Sequence, residues 1–383
     1  MFKASKIAIV YDWIDKWGGV ERLLLNLHQL FPQADFLTSY YNDVSAPWAK
    51  QLHIKTSFIQ NLPPIIKNRR LMSFPFYPFA FEQLDLSDYD IVISVSSSFA
   101  KSVITKPGTL HLGFLLTPMR FLWLFQEDYI RSRKTRLILQ PYLSYLKQWD
   151  YVAGQRPDRI ISISETIADR CKKIYNRSSE VLYPPFDTGY WQKIKHQLSK
   201  TENNFKDKFR MINNNYYLVV SRLEPYKKTE IIIEAFNNLK ENLLVIGTGS
   251  EENKLKKMAK SNILFINSLS DQELAYFYTH ARALIMSQEE DFGYVSLEAQ
   301  YFGCPVIAYK KGGAAETVVN GKTGLFFDKQ HRSSFMDTLE RFHIISYNLK
   351  EECQKYGQDN VNRFEKRKFN QRLYAIIREE VNR

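Results

Sequence analysis

Cysteine is scarce, with three in 383 residues, and Cys171, Cys304 and Cys353 lie far apart without paired spacing. That excludes a disulfide framework and a zinc cage, and it suits a reducing cytoplasm. Long apolar runs are missing too. No stretch approaches the ~18–20 residues that span a bilayer. The N-terminal run at 7–10 is too short for the apolar core of a signal peptide. The expectation is a cytoplasmic chain, peripheral on the inner face of the cell membrane. Acidic residues are in deficit: 53 Lys and Arg stand against 41 Asp and Glu, a net charge of +12. The excess is uneven, since residues 1–200 hold 26 basic against 17 acidic side chains, +9, leaving +3 for the rest. A basic N-terminal half calls for an anionic partner, either a phosphorylated substrate or membrane headgroups. No zinc-finger, basic-zipper or RNA-recognition pattern argues for nucleic acid.

What is present is an alternation of short apolar strands and amphipathic helices, which reads as α/β with parallel sheets. Strands are expected at 7–10, 91–95, 110–116 and 159–163, with a helix after Gly18-Gly19. Residues 187–215, rich in Lys, Asn and Gln and ending in Asn213-Asn214-Asn215, break the rhythm and place the domain joint in or near them. A second alternation follows, with strands at 217–220, 243–246, 263–266, 283–286 and 306–308. The tail from 351 to 383 reads as charged helix. At 383 residues two domains are the default.

The strongest chemical signal is Glu290-Asp291-Phe292-Gly293-Tyr294-Val295-Ser296-Leu297-Glu298. Glu290 falls in a loop at a strand's C-terminal end, and the N–H groups near Gly293 open a helix, where phosphate is favoured. Glu298 lies further along that helix. Two carboxylates so placed suit sugar hydroxyls and a ribose diol, since each accepts two hydroxyl protons. Next comes Ser221-Arg222-Leu223-Glu224-Pro225-Tyr226-Lys227, directly after a strand. Arg222 and Lys227, two cations at a strand end, suit a diphosphate leaving group and stabilise its developing charge. In the first half, Gly18 and Gly19 let the backbone approach a ligand ahead of a helix N-terminus.

From Ser221 to about Asp328 the order of motifs resembles the retaining glycosyltransferases of family 4, which have the GT-B fold. The matching pieces are Ser221-Arg222-Leu223 with Lys227, Gly247-Thr248-Gly249-Ser250, and the Glu-x7-Glu of Glu290 and Glu298. Gly303-Cys304-Pro305, Gly312-Gly313 and Gly321-Lys322-Thr323-Gly324 complete the set. The Glu-Asp-Phe-Gly form resembles bacterial O-antigen and polysaccharide mannosyltransferases. The first half is similar more loosely, through Tyr11-Asp12-Trp13, Gly18-Gly19 and Thr117-Pro118-Met119-Arg120.

The resemblance implies two Rossmann-like domains facing across a cleft. Residues 1–190 would be the acceptor-binding domain, 191–360 the nucleotide-sugar-binding domain, and 361–383 a C-terminal helix packing back toward the first. It implies transfer of a hexose, mannose the first choice, from a GDP- or UDP-linked donor to a glycan or polyprenyl-linked glycan, with retention and without metal or cofactor. Arg222, Lys227 and Glu290 are then the catalytic candidates. Gly18, Gly19, Gly247, Gly249, Phe292, Gly293, Tyr294, Val295 and Glu298 are the donor-binding ones, and Thr117 and Arg120 lie on the acceptor side.

One departure stands out: Leu116 occupies the place of the family's usual histidine, and leucine forms no hydrogen bond to a hydroxyl. Hence a second reading is a catalytically silent GT-B protein that binds a sugar nucleotide and scaffolds a partner enzyme. His111, on the same strand, reads as structural, and Asp88-Tyr89-Asp90 reads as the polar start of a buried strand. Two basic-aromatic segments, Lys67, Arg69 and Arg70 with residues 71–81 and Arg131, Arg133, Lys134 and Arg136 with residues 137–146, suit an anionic membrane surface.

Overall fold

The computed structural model describes residues 5–67, 70–130, 132–209, 212 and 215–382. The chain divides into two units, Met1–Pro185 with Phe369–Arg383, and Phe186–Lys368. The second unit begins at Phe186, beside the 187–215 segment, whose residues Thr188–Lys208 form its first helix. Its apolar side packs on the helix Asp271–His280, with Phe209 and Phe277 rings 4.8 Å apart and Lys208 paired to Glu273 at 2.5 Å. A polar composition there reflects a solvated helix face. Asn213 and Asn214 lie outside the described residues, as do Arg69 and Arg131.

Among the described residues the first unit holds a parallel seven-stranded sheet. Its strands are β1 (Ile7–Tyr11), β2 (Asp35–Thr38), β3 (His53–Thr56), β4 (Ile91–Ser96), β5 (Leu110–Leu115), β6 (Arg159–Ser162) and β7 (Glu180–Val181), in the order β3-β2-β1-β4-β5-β6-β7. β1 and β4 are buried along their whole length, as continuous apolar strands covered on both faces must be. Tyr77, Phe81, Phe99, Leu143 and Leu146 pack over one face.

The helix Lys366–Val381 adds to this unit from Phe369 onward. Its Asn370 accepts from Asn26 at 2.8 Å, Tyr374 meets Phe31 edge-on at 5.8 Å, and Arg372 pairs with Glu180 at 2.5 Å.

Among the described residues the second unit holds six parallel strands: β8 (Tyr216–Val220), β9 (Asn242–Ile246), β10 (Ile263–Ile266), β11 (Leu284–Met286), β12 (Val306–Tyr309) and β13 (Gly324–Phe327). Their order is β10-β9-β8-β11-β12-β13. Counted from β8, this is the doubly wound order of dinucleotide-binding sheets, which reverses between β8 and β11. Tyr217, Val219, Ile232, Phe236, Val245, Ile285, Phe335 and Phe342 form its core. Ligands of such sheets bind beyond the carboxyl ends of the strands at the reversal. The two loops that matter are therefore those leaving β8 and β11.

Candidate functional site

The loop leaving β8 is held by β9's continuation. Ser221 N–H donates to Ile246 O at 3.0 Å and Leu223 N–H to Thr248 O at 2.8 Å. That contact has room for no side chain opposite. A Cβ on Gly247, whose φ is +138°, falls 2.0 Å from Ser221 O, and one on Gly249 falls 2.3 Å from Leu223 O. Gly247 and Gly249 thus let the two backbones meet. A turn at Pro225–Lys227 follows, with Lys228 left-handed at φ 54°, before the helix Thr229–Phe236. Arg222 is exposed and donates to Tyr226 Oη at 2.8 Å, whereas Lys227 is buried.

The loop leaving β11 comes to meet it. Ser287 Oγ donates to Lys227 O at 2.9 Å. Lys227 Nζ pairs with Glu290 Oε1 at 2.5 Å, and Gln288 Nε2 donates to the same oxygen at 2.7 Å. The Glu290 backbone is clamped from the far side, where Gly313 N–H donates to Glu290 O at 2.7 Å. Here too glycine is required: a Cβ on Gly312, φ +71°, sits 2.1 Å from that oxygen, and one on Gly313 sits 2.1 Å from Phe292 O. The Phe292 ring is buried against Phe364, centroids 5.6 Å apart, so this residue offers a ligand its backbone only. Gly293, φ +99°, caps the helix Tyr294–Tyr301 and sets the N–H groups of Tyr294 and Val295 at its start. Glu298 lies on the buried side of that helix, 3% exposed, accepting from Tyr278 Oη at 3.0 Å.

Of the charged residues singled out in this unit, the fold brings Lys227 and Glu290 together. Arg222 and Glu298 have other partners in this structure.

In the first unit Gly18 caps the helix Gly19–Leu30, and a Cβ there would sit 3.0 Å from Glu21 Oε2. The buried Asp12 carboxylate, just after β1, accepts from the N–H groups of Ser97, Phe99 and Ala100 at 2.7 Å each and from Ser97 Oγ at 2.9 Å. Leu116 and Thr117 are buried after β5, and Arg120 starts the helix Arg120–Trp123. Trp123 Nε1 donates to Asp150 Oδ2 at 2.7 Å, as does Tyr175 Oη at 2.8 Å, while Lys101 pairs with Asp150 at 2.5 Å. Burial, then the Asp150 charge, pushes the Tyr175 phenol well up.

The sequence reading named Asp12 only within Tyr11-Asp12-Trp13, without its partners, and overlooked the Lys101–Asp150 pair and Gln288, which have no periodic or motif signature. His111 is fully buried, bonded to Ser94 Oγ at 2.8 Å, and burial lowers its pKa to about 3, with Arg156 and Arg177 adding to the effect.

The basic-aromatic segments divide. Tyr77 and Phe81 are core residues, 2% and 0% exposed, because the helix Tyr77–Glu82 turns them inward; they leave the membrane-facing set. Phe76 and Phe79 remain exposed, as do Leu137, Ile138 and Tyr145 on the helix Arg133–Ala153. Among the described residues no helix is long and apolar enough to cross a membrane.

Comparison with known proteins agrees with this architecture. Residues 200–360 match the family described as glycosyl transferases group 1. Alpha-1,3/1,6-mannosyltransferase ALG2 of Dictyostelium discoideum is 27% identical over 232 residues, covering 51% of this chain and 55% of that protein. The aligned stretch thus spans about half the length of that relative. O-antigen chain mannosyltransferase C of Escherichia coli is 21% identical over 369 residues, 92% of this chain and 90% of that one. The crystal structure of HepE from Anabaena in complex with UDP superposes with a TM-score of 0.71 at 15% identity, covering 98% of this chain and all of that one. The chain thus has the two-sheet GT-B fold, and its residues 200–360 match a group 1 glycosyl transferase domain.

Proposed function

We propose that the chain moves a hexose, mannose the first choice, from a GDP- or UDP-linked donor to a glycan or lipid-linked glycan in cell-surface polysaccharide synthesis, retaining anomeric configuration. The observation that carries this reading is the Lys227–Glu290 pair, 2.5 Å apart where the sheet order reverses between β8 and β11. A cation and a carboxylate at that point suit a diphosphate and the sugar attached to it. Lys227 and Arg222 stabilise the charge on the departing diphosphate, with the N–H groups of Gly293, Tyr294 and Val295 as further donors. Glu290 orients the sugar, and Glu298 takes the ribose hydroxyls. Gly247, Gly249 and Phe292 shape the loops that carry these groups. Thr117 and Arg120 face the acceptor. The leaving phosphate oxygen accepts the acceptor's proton on the face it departs from, so retention needs no side-chain base and Leu116 is tolerated. UDP in HepE and the mannosyltransferase names of the relatives support the donor class. Exposed Leu137, Ile138 and Tyr145 beside Arg133 and Lys134 suit an anionic membrane surface, where a lipid-linked acceptor resides.

The test is turnover of GDP- and UDP-hexoses with polyprenyl-linked oligosaccharides, with and without EDTA, reading nucleotide release and product anomer. The expected result is EDTA-resistant release with a retained anomer. A strict Mn²⁺ or Mg²⁺ requirement overturns the Arg222/Lys227 assignment. Donor binding without release returns the chain to the silent scaffold.

A further inference from the structure

Gln288 belongs to none of the roles above. It sits in the loop leaving β11, 4% exposed, and its Nε2 donates to Glu290 Oε1 at 2.7 Å. Lys227 Nζ reaches the same oxygen at 2.5 Å. One carboxylate oxygen therefore has a charged donor and a neutral one. The main chain around them is pinned. Ser287 Oγ holds Lys227 O at 2.9 Å, Gln330 Nε2 holds Ser287 O at 2.8 Å, and Gly313 N–H holds Glu290 O at 2.7 Å. With the backbone fixed, side-chain donors decide where the Glu290 carboxylate points.

The two donors respond differently to an incoming diphosphate. An ammonium on a flexible four-carbon stem follows the strongest negative charge, and a diphosphate carries more of it than one carboxylate. A primary amide has no net charge and keeps its hydrogen bond. We propose that Gln288 is a positioning residue, which keeps Glu290 aimed at the sugar once a diphosphate draws Lys227 away. The inference rests on the donor reading given above. In the free protein Lys227 neutralises Glu290. In the donor complex Lys227 changes partner and Gln288 remains as the anchor. Loss of the amide then leaves the phosphate contact intact and weakens the sugar contact alone.

Isothermal titration with GDP, UDP, GDP-mannose and UDP-glucose separates these contacts, using the full chain and the variants Gln288→Met, Gln288→Glu and Lys227→Met. For whichever base the wild type prefers, Gln288→Met should bind the nucleoside diphosphate within about twofold of wild type and the nucleotide sugar roughly ten- to a hundredfold more weakly, the value of one hydrogen bond to a charged group. Gln288→Glu keeps the length but sets a like charge beside Glu290, and should lose the same increment. It serves should the methionine variant fail to fold. Lys227→Met should weaken both ligands. A folded Gln288→Met that binds both like wild type, or weakens both equally, overturns the positioning role while the donor reading stands. A Lys227→Met that binds both like wild type, or a wild type that binds none of the four, overturns the donor reading itself and the inference with it.

Discussion

Where strand order reverses in the first unit, between β1 and β4, the Asp12 carboxylate takes four hydrogen bonds from Ser97, Phe99 and Ala100. At the same point of the second unit, between β8 and β11, the Glu290 carboxylate faces the Lys227 and Gln288 side chains. The scaffolds are alike and the carboxylates differ in their partners. Backbone donors cannot leave Asp12 without unfolding its loop, so that acid fixes structure. Side-chain donors can turn to another anion, so Glu290 is exchangeable. An acid at a sheet's reversal point is thus structural or functional according to whether main chain or side chain satisfies it.

The contrast breaks most sharply at Asp12. Asp12→Ala strands the buried N–H donors of Phe99 and Ala100 and the half-buried one of Ser97 at ~1–3 kcal/mol each, so urea unfolding should show a loss on the order of 5 kcal/mol. A loss under 1 kcal/mol would mean that Asp12 fixes nothing.

His111, buried in the same unit, gives the next effect. Its folded pKa of about 3 lies below its ordinary value of 6.5, so the unfolded chain binds the extra proton between those values. Stability from this group is full above pH ~6.5 and falls toward pH 3 by up to about 1.4 kcal/mol per pH unit. Subtracting the unfolding curve of His111→Gln, which keeps a partner for Ser94, should isolate that slope. Parallel curves for the two proteins would show that His111 does not titrate this way.

The smallest effects sharpen the comparison within the second unit. Glu290→Gln should lower kcat roughly ten- to a hundredfold, because the carboxylate lies beside the centre that gains positive charge. Glu298→Gln should raise KM for the donor with little change in kcat, because ribose bonding changes little on the way to the transition state. Reversed results exchange the two roles. Both proteins should melt within a few degrees of wild type, unlike Asp12→Ala.

Much of this was legible in the residue order. The strands β1, β4, β5 and β8 announce themselves as short, continuous apolar runs, and Arg222, Lys227 and Glu290 fall just past strand ends. Gly312-Gly313 stood out as a motif, although its reason, the approach of Glu290 O and Phe292 O to within 2.1 Å of a would-be Cβ, is visible only in three dimensions. The strands β2, β3, β7 and β13 escaped notice; β7 has only two residues, and β3, His-Ile-Lys-Thr, is exposed along most of its length and offers no apolar run. The 187–215 segment was legible as a break in the rhythm but not as the helix Thr188–Lys208, because a solvated helix and a linker share a polar composition.

The sequence by itself determined the fold class and which loops carry charge, because apolar periodicity and the residues at strand ends are local properties. Only the tertiary structure decided partners. It spent Asp12 on backbone, sent Phe292, Tyr77 and Phe81 into the core, and set Gln288 beside Glu290 with Lys227 arriving from 63 positions away. Such pairings depend on strand order, which brings β11 next to β8, and no local pattern of residues records that order.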